Sequence, residues 1–279
     1  LRTHPRNSDQ KLSGYLHAIH TNMILAIEIK DVNSVQFLVN ELLSNEFLYD
    51  KTLIIKLSDE IGEKKFEIYK SLFLKDDTFS DVTFLIPNAE EYNQASRNIS
   101  DSFNILNKYA NNSFKEINKL ITEIFLFNND KSYIISSGTS LNNFGSIYIS
   151  SNLKKSIPFY LEALVHESSH LYLFGIALND SIVLNSDEER YSAPLRNDKR
   201  TMTGIYHAAF VISRIIYSFN NILNNNINDE SKTNNEIIIR KKELISRFRG
   251  GYQTILKHGK LTNLGKEIIQ YANKYVEEN

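Results

Sequence analysis

The chain has no cysteine and no tryptophan, and only two methionines, four prolines and ten glycines in 279 residues. Without cysteine there is no disulfide framework, thiolate zinc site, iron–sulfur cluster or cysteine nucleophile, so any metal must sit on histidine and carboxylate. So few prolines and glycines leave few chain breakers, which favours long helices. Neither sign of charge dominates: 32 Lys+Arg stand against 33 Asp+Glu, a formal net charge of -1. Proteins that bind nucleic acid non-specifically usually carry a basic surplus, so no nucleic-acid partner is expected. Also missing is a run of about 18 consecutive apolar residues, the length that spans a bilayer. The opening LRTHPRNSDQ has no hydrophobic stretch and does not read as a signal peptide. A cytoplasmic protein with no membrane partner is therefore expected. The first residue is Leu rather than Met, which reads as a trimmed chain or a fragment. What is present suffices to fold, because 42% hydrophobic and 11% aromatic content exclude a disordered tail, a fibre or a low-complexity linker.

Apolar residues recur at helical spacing through about 10–49, as two helices, then through about 58–74 and 100–127. DVTFLIP (81–87), KSYIISS (131–137) and GSIYIS (145–150) read as strands. A helix is expected from about 157 to 174, with Ser156 as N-cap, Pro158 in its first turn and Gly175 near its end. Two or three more helices follow Thr201, interrupted by the Asn-rich stretch 220–236, which reads as a loop or a frayed helix end. The run IIIRKKELISRFR (237–249) gives one of them a basic, solvated face. The fold class is mostly helical α+β. An N-terminal helical region over 1–127 and a metal-site region over 128–279 are expected to form one continuous unit.

The chemistry centres on His166-Glu167-Ser168-Ser169-His170, an H-E-x-x-H motif inside the best-marked helix. Histidines at i and i+4 share one face, about 6 Å apart along the axis, so both imidazoles reach one ion. The intervening glutamate can approach a water on that ion. With seven His and 20 Glu in 279 residues, shuffling yields only about 0.01 such matches by chance. A third protein ligand is needed, and two candidates stand out. Glu189 follows His170 after 18 residues, the gluzincin peptidase arrangement; His207 lies 37 residues beyond His170 in TGIYHAAFVISR. His17 and His20, at i and i+3 in the first helix, lack an acidic neighbour and read as surface residues.

The motif has a recognisable setting. LVHESSH (164–170) precedes Tyr191 with Ala193-Pro194-Leu195-Arg196, Asp198 and Arg200, then Gly204, His207, Phe210, Val211 and Arg214. This pattern, from Gly145 to Arg214, resembles the HExxH peptide-modification family found beside ribosomally synthesised, post-translationally modified peptides. It departs after Arg200, where Thr201 stands in place of the usual proline. The resemblance implies an iron(II)- and 2-oxoglutarate-dependent hydroxylase of peptide side chains, with a ribosomal precursor peptide as substrate. His166, His170 and His207 would be its metal ligands, and Glu167 would order water or a ligand beside them. A 2-oxoglutarate oxygenase also needs a cation for the distal carboxylate of the oxoacid, and arginine binds carboxylate bidentately. Arg214 lies seven residues after His207, hence on the same helix face about 10 Å away. Arg196 and Arg200, in the Pro-Leu-Arg-x-Asp-x-Arg loop, are the reserves.

The expected architecture is a zincin-like small sheet, an HExxH active-site helix and a C-terminal helical bundle. In zincin-like folds the strand before the motif helix borders the cleft, so GSIYIS is expected at an edge with Ser146, Tyr148 and Ser150 facing a wet groove. Two other readings remain open. One is a zinc metallopeptidase with Glu167 as general base and Glu189 as third ligand. The other is a catalytically silent protein that keeps the shape to bind peptides.

Overall fold

In the computed structural model the described residues are 10–56, 63–73, 84–129, 135–152, 154–178, 180–192, 199–225 and 232–279. They divide into two units, one from Leu1–Asn98 and Glu116–Lys155, the other from Ile99–Lys115 and Ser156–Asn279. The expected division between residues 127 and 128 falls inside a strand of the first unit.

In chain order the first unit carries β1 (Lys11–Leu12), α1 (Gly14–Glu28), α2 (Val32–Ser44), β2 (Leu48–Tyr49), β3 (Leu53–Lys56) and α3 (Glu63–Phe73). After β4 (Phe84–Leu85) come α4 (Ala89–Tyr109) and α5 (Asn111–Leu120), parts of which belong to each unit. The unit closes with β5 (Glu123–Asn129), β6 (Ser137–Thr139) and β7 (Ser146–Ser150). Of the expected 100–127 helix, the last part is instead β5, with Glu123 to Phe127 all buried. The four apolar or aromatic residues in a row, Ile124 to Phe127, carry no helical or strand period, so burial between two neighbouring strands decides their state. Residues 58–62, 74, 81–83 and 131–134 of the other expected elements lie outside the described residues.

The sheet runs β3-β5-β7-β6, with β3, β5 and β7 parallel, β6 antiparallel to β7, and β4 antiparallel to the end of β5. Strand β7 is therefore not an edge, a correction to the expectation of a groove-lining strand. All five of its residues are buried. Its polar side chains face partners within the fold instead of water. Ser146 Oγ donates to Glu123 Oε2 at 2.9 Å, and the Tyr148 hydroxyl accepts from Asn143 Nδ2 at 3.1 Å. Tyr148 also stacks on Phe125 at 5.2 Å, and α1 adds Tyr15, Ala18, Ile19 and Ala26 to the same core.

Glu123 is the polar centre of this unit, 1% exposed. It accepts from Ser13 Oγ at 2.7 Å, from the Tyr69 hydroxyl at 2.7 Å and from Ser146. Ser13 is also the N-cap of α1, accepting from the Tyr15 amide. One carboxylate thus joins the start of α1, α3, β5 and β7. The approach is close: a Cβ at Gly14 would fall 2.1 Å from Ser146 Oγ. Glu123→Gln replaces an acceptor oxygen with an NH2 that faces hydroxyl donors. The variant should lose about 1–3 kcal/mol of stability, read as a lower urea midpoint with unchanged slope.

The second unit is a helical bundle. It holds α6 (Ile157–Ala177), a short ladder of β8 (Tyr191–Ser192) with β9 (Lys199–Arg200), then α7 (Met202–Asn225), α8 (Lys232–His258) and α9 (Asn263–Glu278). Helix α7 lies against α6, α8 and α9, and more than half of its residues are buried. The expected loop over 220–236 is helical on both sides of residues 226–231, which lie outside the described set. Asparagine disfavours helices because its side chain competes for backbone groups. Here two of those side chains have other partners: Asn220 donates to the Tyr275 hydroxyl and Asn225 to the Tyr109 carbonyl. The basic face of α8 is partly neutralised, because Arg240 pairs with Glu162 at 2.9 Å and Glu236 at 2.8 Å, and Arg249 pairs with Glu277. Among the described residues no helix is long and apolar enough to cross a membrane. Mostly helical α+β with small sheets describes the chain.

Candidate metal centre

Helix α6 has Ser156 at its N-cap position, with its hydroxyl donated to Glu236 rather than capping, carries Pro158 in its first turn as the sequence predicts, and runs through the whole motif. Helix α7 starts where Thr201 caps it: the Thr201 hydroxyl accepts from the Gly204 amide at 3.1 Å, and its carbonyl from the Ile205 amide. Thr201 thus satisfies one of the first amides of α7 through its side chain. The two helices bring His166, His170 and His207 together.

His166 Nε2 and His170 Nε2 stand 3.2 Å apart. Two nitrogens held at about 2.1 Å by one ion are about 3.0 Å apart at a right angle and about 3.4 Å apart at the tetrahedral angle. The pair therefore already has the spacing of two ligands on one ion. By the same geometry two ligating rings have centroids about 4.6–5.3 Å apart. The His166–His170 centroids are at 5.0 Å, within that range, and His170–His207 at 5.8 Å, just beyond it. As the side chains stand, no three of His, Asp and Glu among the described residues form a group that could hold a metal. The ring of Phe174 lies 6.2 Å from that of His170 and 5.7 Å from that of His207, walling the site.

Burial pushes the imidazoles of His166 and His207 down from 6.5 to about 4. His170 goes well below 6.5, from burial first and then from the charges of His166 and His207 on either side. All three are neutral at pH 7, the form that donates a lone pair to a metal. Their unfolded counterparts take up protons near pH 6.5, so between about 6.5 and 4 the unfolded chain binds more protons than the folded one. Stability of the metal-free protein is fully present above pH 6.5 and falls as the pH drops towards 4. Denaturation midpoints at pH 7 and pH 5 should show a loss of a few kcal/mol. His166→Gln, which cannot titrate, should reduce that loss.

Glu167 is buried, 2% exposed. Arg214 extends from α7 to α6, its Nε donating to Ser169 Oγ at 3.2 Å. Its guanidinium carbon lies 4.8 Å from the centre of the Tyr172 ring and 5.5 Å from that of Phe210. Arg200 sits in β9 opposite Tyr191, at the entrance to α7. Arg196 lies outside the described residues.

Glu189 is committed elsewhere. Its carboxylate accepts from the Tyr191 hydroxyl and from Asn185 Nδ2, and pairs with Lys260 at 3.5 Å. Those hydrogen bonds, the Tyr191 one foremost, hold its pKa below the usual carboxylate value. Asn185 also donates to the His258 carbonyl and accepts from the Lys260 amide, so this corner ties the 185–191 segment to the end of α8.

Two contributors escape a sequence reading. Ser169 occupies a variable position of the motif, and Tyr172 falls outside it; both touch Arg214. Their signal was available as i and i+3 spacing on α6, but nothing in sequence marks which α7 residue they meet. No family model matches the chain, and no curated protein matches it either.

Proposed function

We propose that the protein is an iron(II)- and 2-oxoglutarate-dependent hydroxylase that acts on side chains of a ribosomally synthesised precursor peptide. One observation carries this reading: three neutral imidazoles on two packed helices, with an arginine two turns along α7 from the third of them. His166, His170 and His207 would hold the metal, a donor set suited to divalent iron or zinc. Bound iron supplies the activation of dioxygen, with 2-oxoglutarate and oxygen converted to succinate, carbon dioxide and one hydroxyl on the peptide.

The chain's own groups bind and orient. Arg214 neutralises the distal carboxylate of the oxoacid, and its aromatic neighbours Tyr172 and Phe210 hold its guanidinium by stacking. Glu167, the buried residue that follows His166, would order water or a ligand beside the metal. Phe174 covers one side of the imidazoles and limits access of water. The zinc peptidase reading is less favoured because its third ligand, Glu189, is held by Asn185, Tyr191 and Lys260.

The test is direct. Protein loaded anaerobically with Fe(II) is mixed with 2-oxoglutarate, oxygen and candidate precursor peptides. Succinate should form in step with a one-oxygen mass gain on a peptide. Peptide cleavage by the zinc-loaded protein without 2-oxoglutarate consumption would establish the peptidase instead.

A further inference from the structure

We infer that Ser169 and Tyr172 are positioning residues that preset the Arg214 guanidinium for the distal carboxylate of the oxoacid, an inference that rests on the hydroxylase reading. Ser169 is fully buried and its hydroxyl is directional. It donates to the Val165 carbonyl at 2.6 Å, which turns its lone pairs towards α7, where it accepts from Arg214 Nε. Val165 immediately precedes His166. The guanidinium is therefore tied, through one hydroxyl, to the backbone turn that carries the first ligand.

The second restraint is flat. Tyr172 and Phe210 are nearly parallel, 5° between planes and 6.5 Å between centroids, and the guanidinium lies over both rings. A guanidinium is weakly hydrated and stacks on aromatic faces, so two rings fix its plane while Ser169 fixes its rotation. Tyr172 is 39% exposed, so its ring adds little to the core. An arginine held in this way gives up less freedom on meeting a carboxylate than one that must be ordered on binding. The planar fork then recognises a carboxylate in a defined orientation, which selects for a dicarboxylic oxoacid.

Equilibrium binding to the Fe(II)-loaded protein without oxygen tests this, using 2-oxoglutarate and 2-oxovalerate. The two share the oxoacid head and chain length, and only the first has the distal carboxylate. Ser169→Ala should weaken 2-oxoglutarate about tenfold and Tyr172→Leu about threefold, with iron content unchanged. Binding of 2-oxovalerate should not change in either variant, and Tyr172→Phe, which keeps the ring, should bind 2-oxoglutarate as the parent protein does. The inference is overturned if both variants keep the parent's preference for 2-oxoglutarate, or if they weaken the two oxoacids equally. Failure of the underlying reading looks different: the parent protein itself would then show no preference between the two acids.

Discussion

His170→Ala should leave the protein unable to retain iron or zinc through dialysis. His170 is the middle member of the set, its ring 5.0 Å from that of His166 and 5.8 Å from that of His207. Removing it leaves two histidines that share no other ligand. Loss of a partner behind a ligand already costs about 10- to 100-fold in metal affinity, so loss of a ligand should exceed about 100-fold. His166→Ala should behave alike, and His207→Ala should abolish retention if it is the third ligand. Glu189→Gln should leave metal content within a few-fold, since that carboxylate is occupied by Asn185, Tyr191 and Lys260. Metal analysis of the four purified variants decides. Full occupancy in His170→Ala would remove the metal centre, and loss in Glu189→Gln with retention in His207→Ala would transfer the third vertex to Glu189.

The two helices of the candidate site were legible because each carries its own punctuation. Ser156, Pro158 and the i, i+4 histidines mark α6, and the seven-residue spacing of His207 and Arg214 marks one face of α7. The pairing of those helices was not legible, since nothing in either period states that Ser169 meets Arg214 or that Phe174 meets His207. The sheet was harder. Ser146, Tyr148 and Ser150 alternate with isoleucine as in a half-solvated strand, yet Glu123, distant in sequence, supplies the partner that lets Ser146 go inside. Alternation reports polarity, not solvent, and a buried carboxylate can take the place of water. In the same way β5 has no period to read, and the Asn-rich end of α7 is helical with the Asn220 and Asn225 side-chain amides taken up by Tyr275 and Tyr109. Local signals located the elements; long-range polar contacts decided which faces are buried.

Arg214→Met should raise the requirement for 2-oxoglutarate steeply while metal content stays nearly constant. Methionine keeps an unbranched apolar stem against Phe210 and Tyr172 and removes only the charge and the donors. What is lost is a charge-assisted contact to a carboxylate that leaves water as it binds. Truncating one partner of such a pair costs about 2–5 kcal/mol, roughly 30- to 4000-fold in affinity. Arg214→Lys should fall between, because it keeps the charge but neither the planar fork nor the stacking on two rings. Saturating 2-oxoglutarate should partly restore turnover to Arg214→Met, whose ligand set is intact, and should do nothing for His170→Ala. This contrast separates an affinity defect from the loss of the reaction centre. Arg200, at the entrance to α7 beside Tyr191, and Arg196 are the remaining candidates for the carboxylate. Wild-type dependence on 2-oxoglutarate in Arg214→Met, with loss in Arg200→Met or Arg196→Met, would move the clamp to that arginine. Wild-type dependence in all three would mean that no arginine near the metal holds the oxoacid. The seven-residue spacing of His207 and Arg214 would then reflect the packing of α7 on α6 alone.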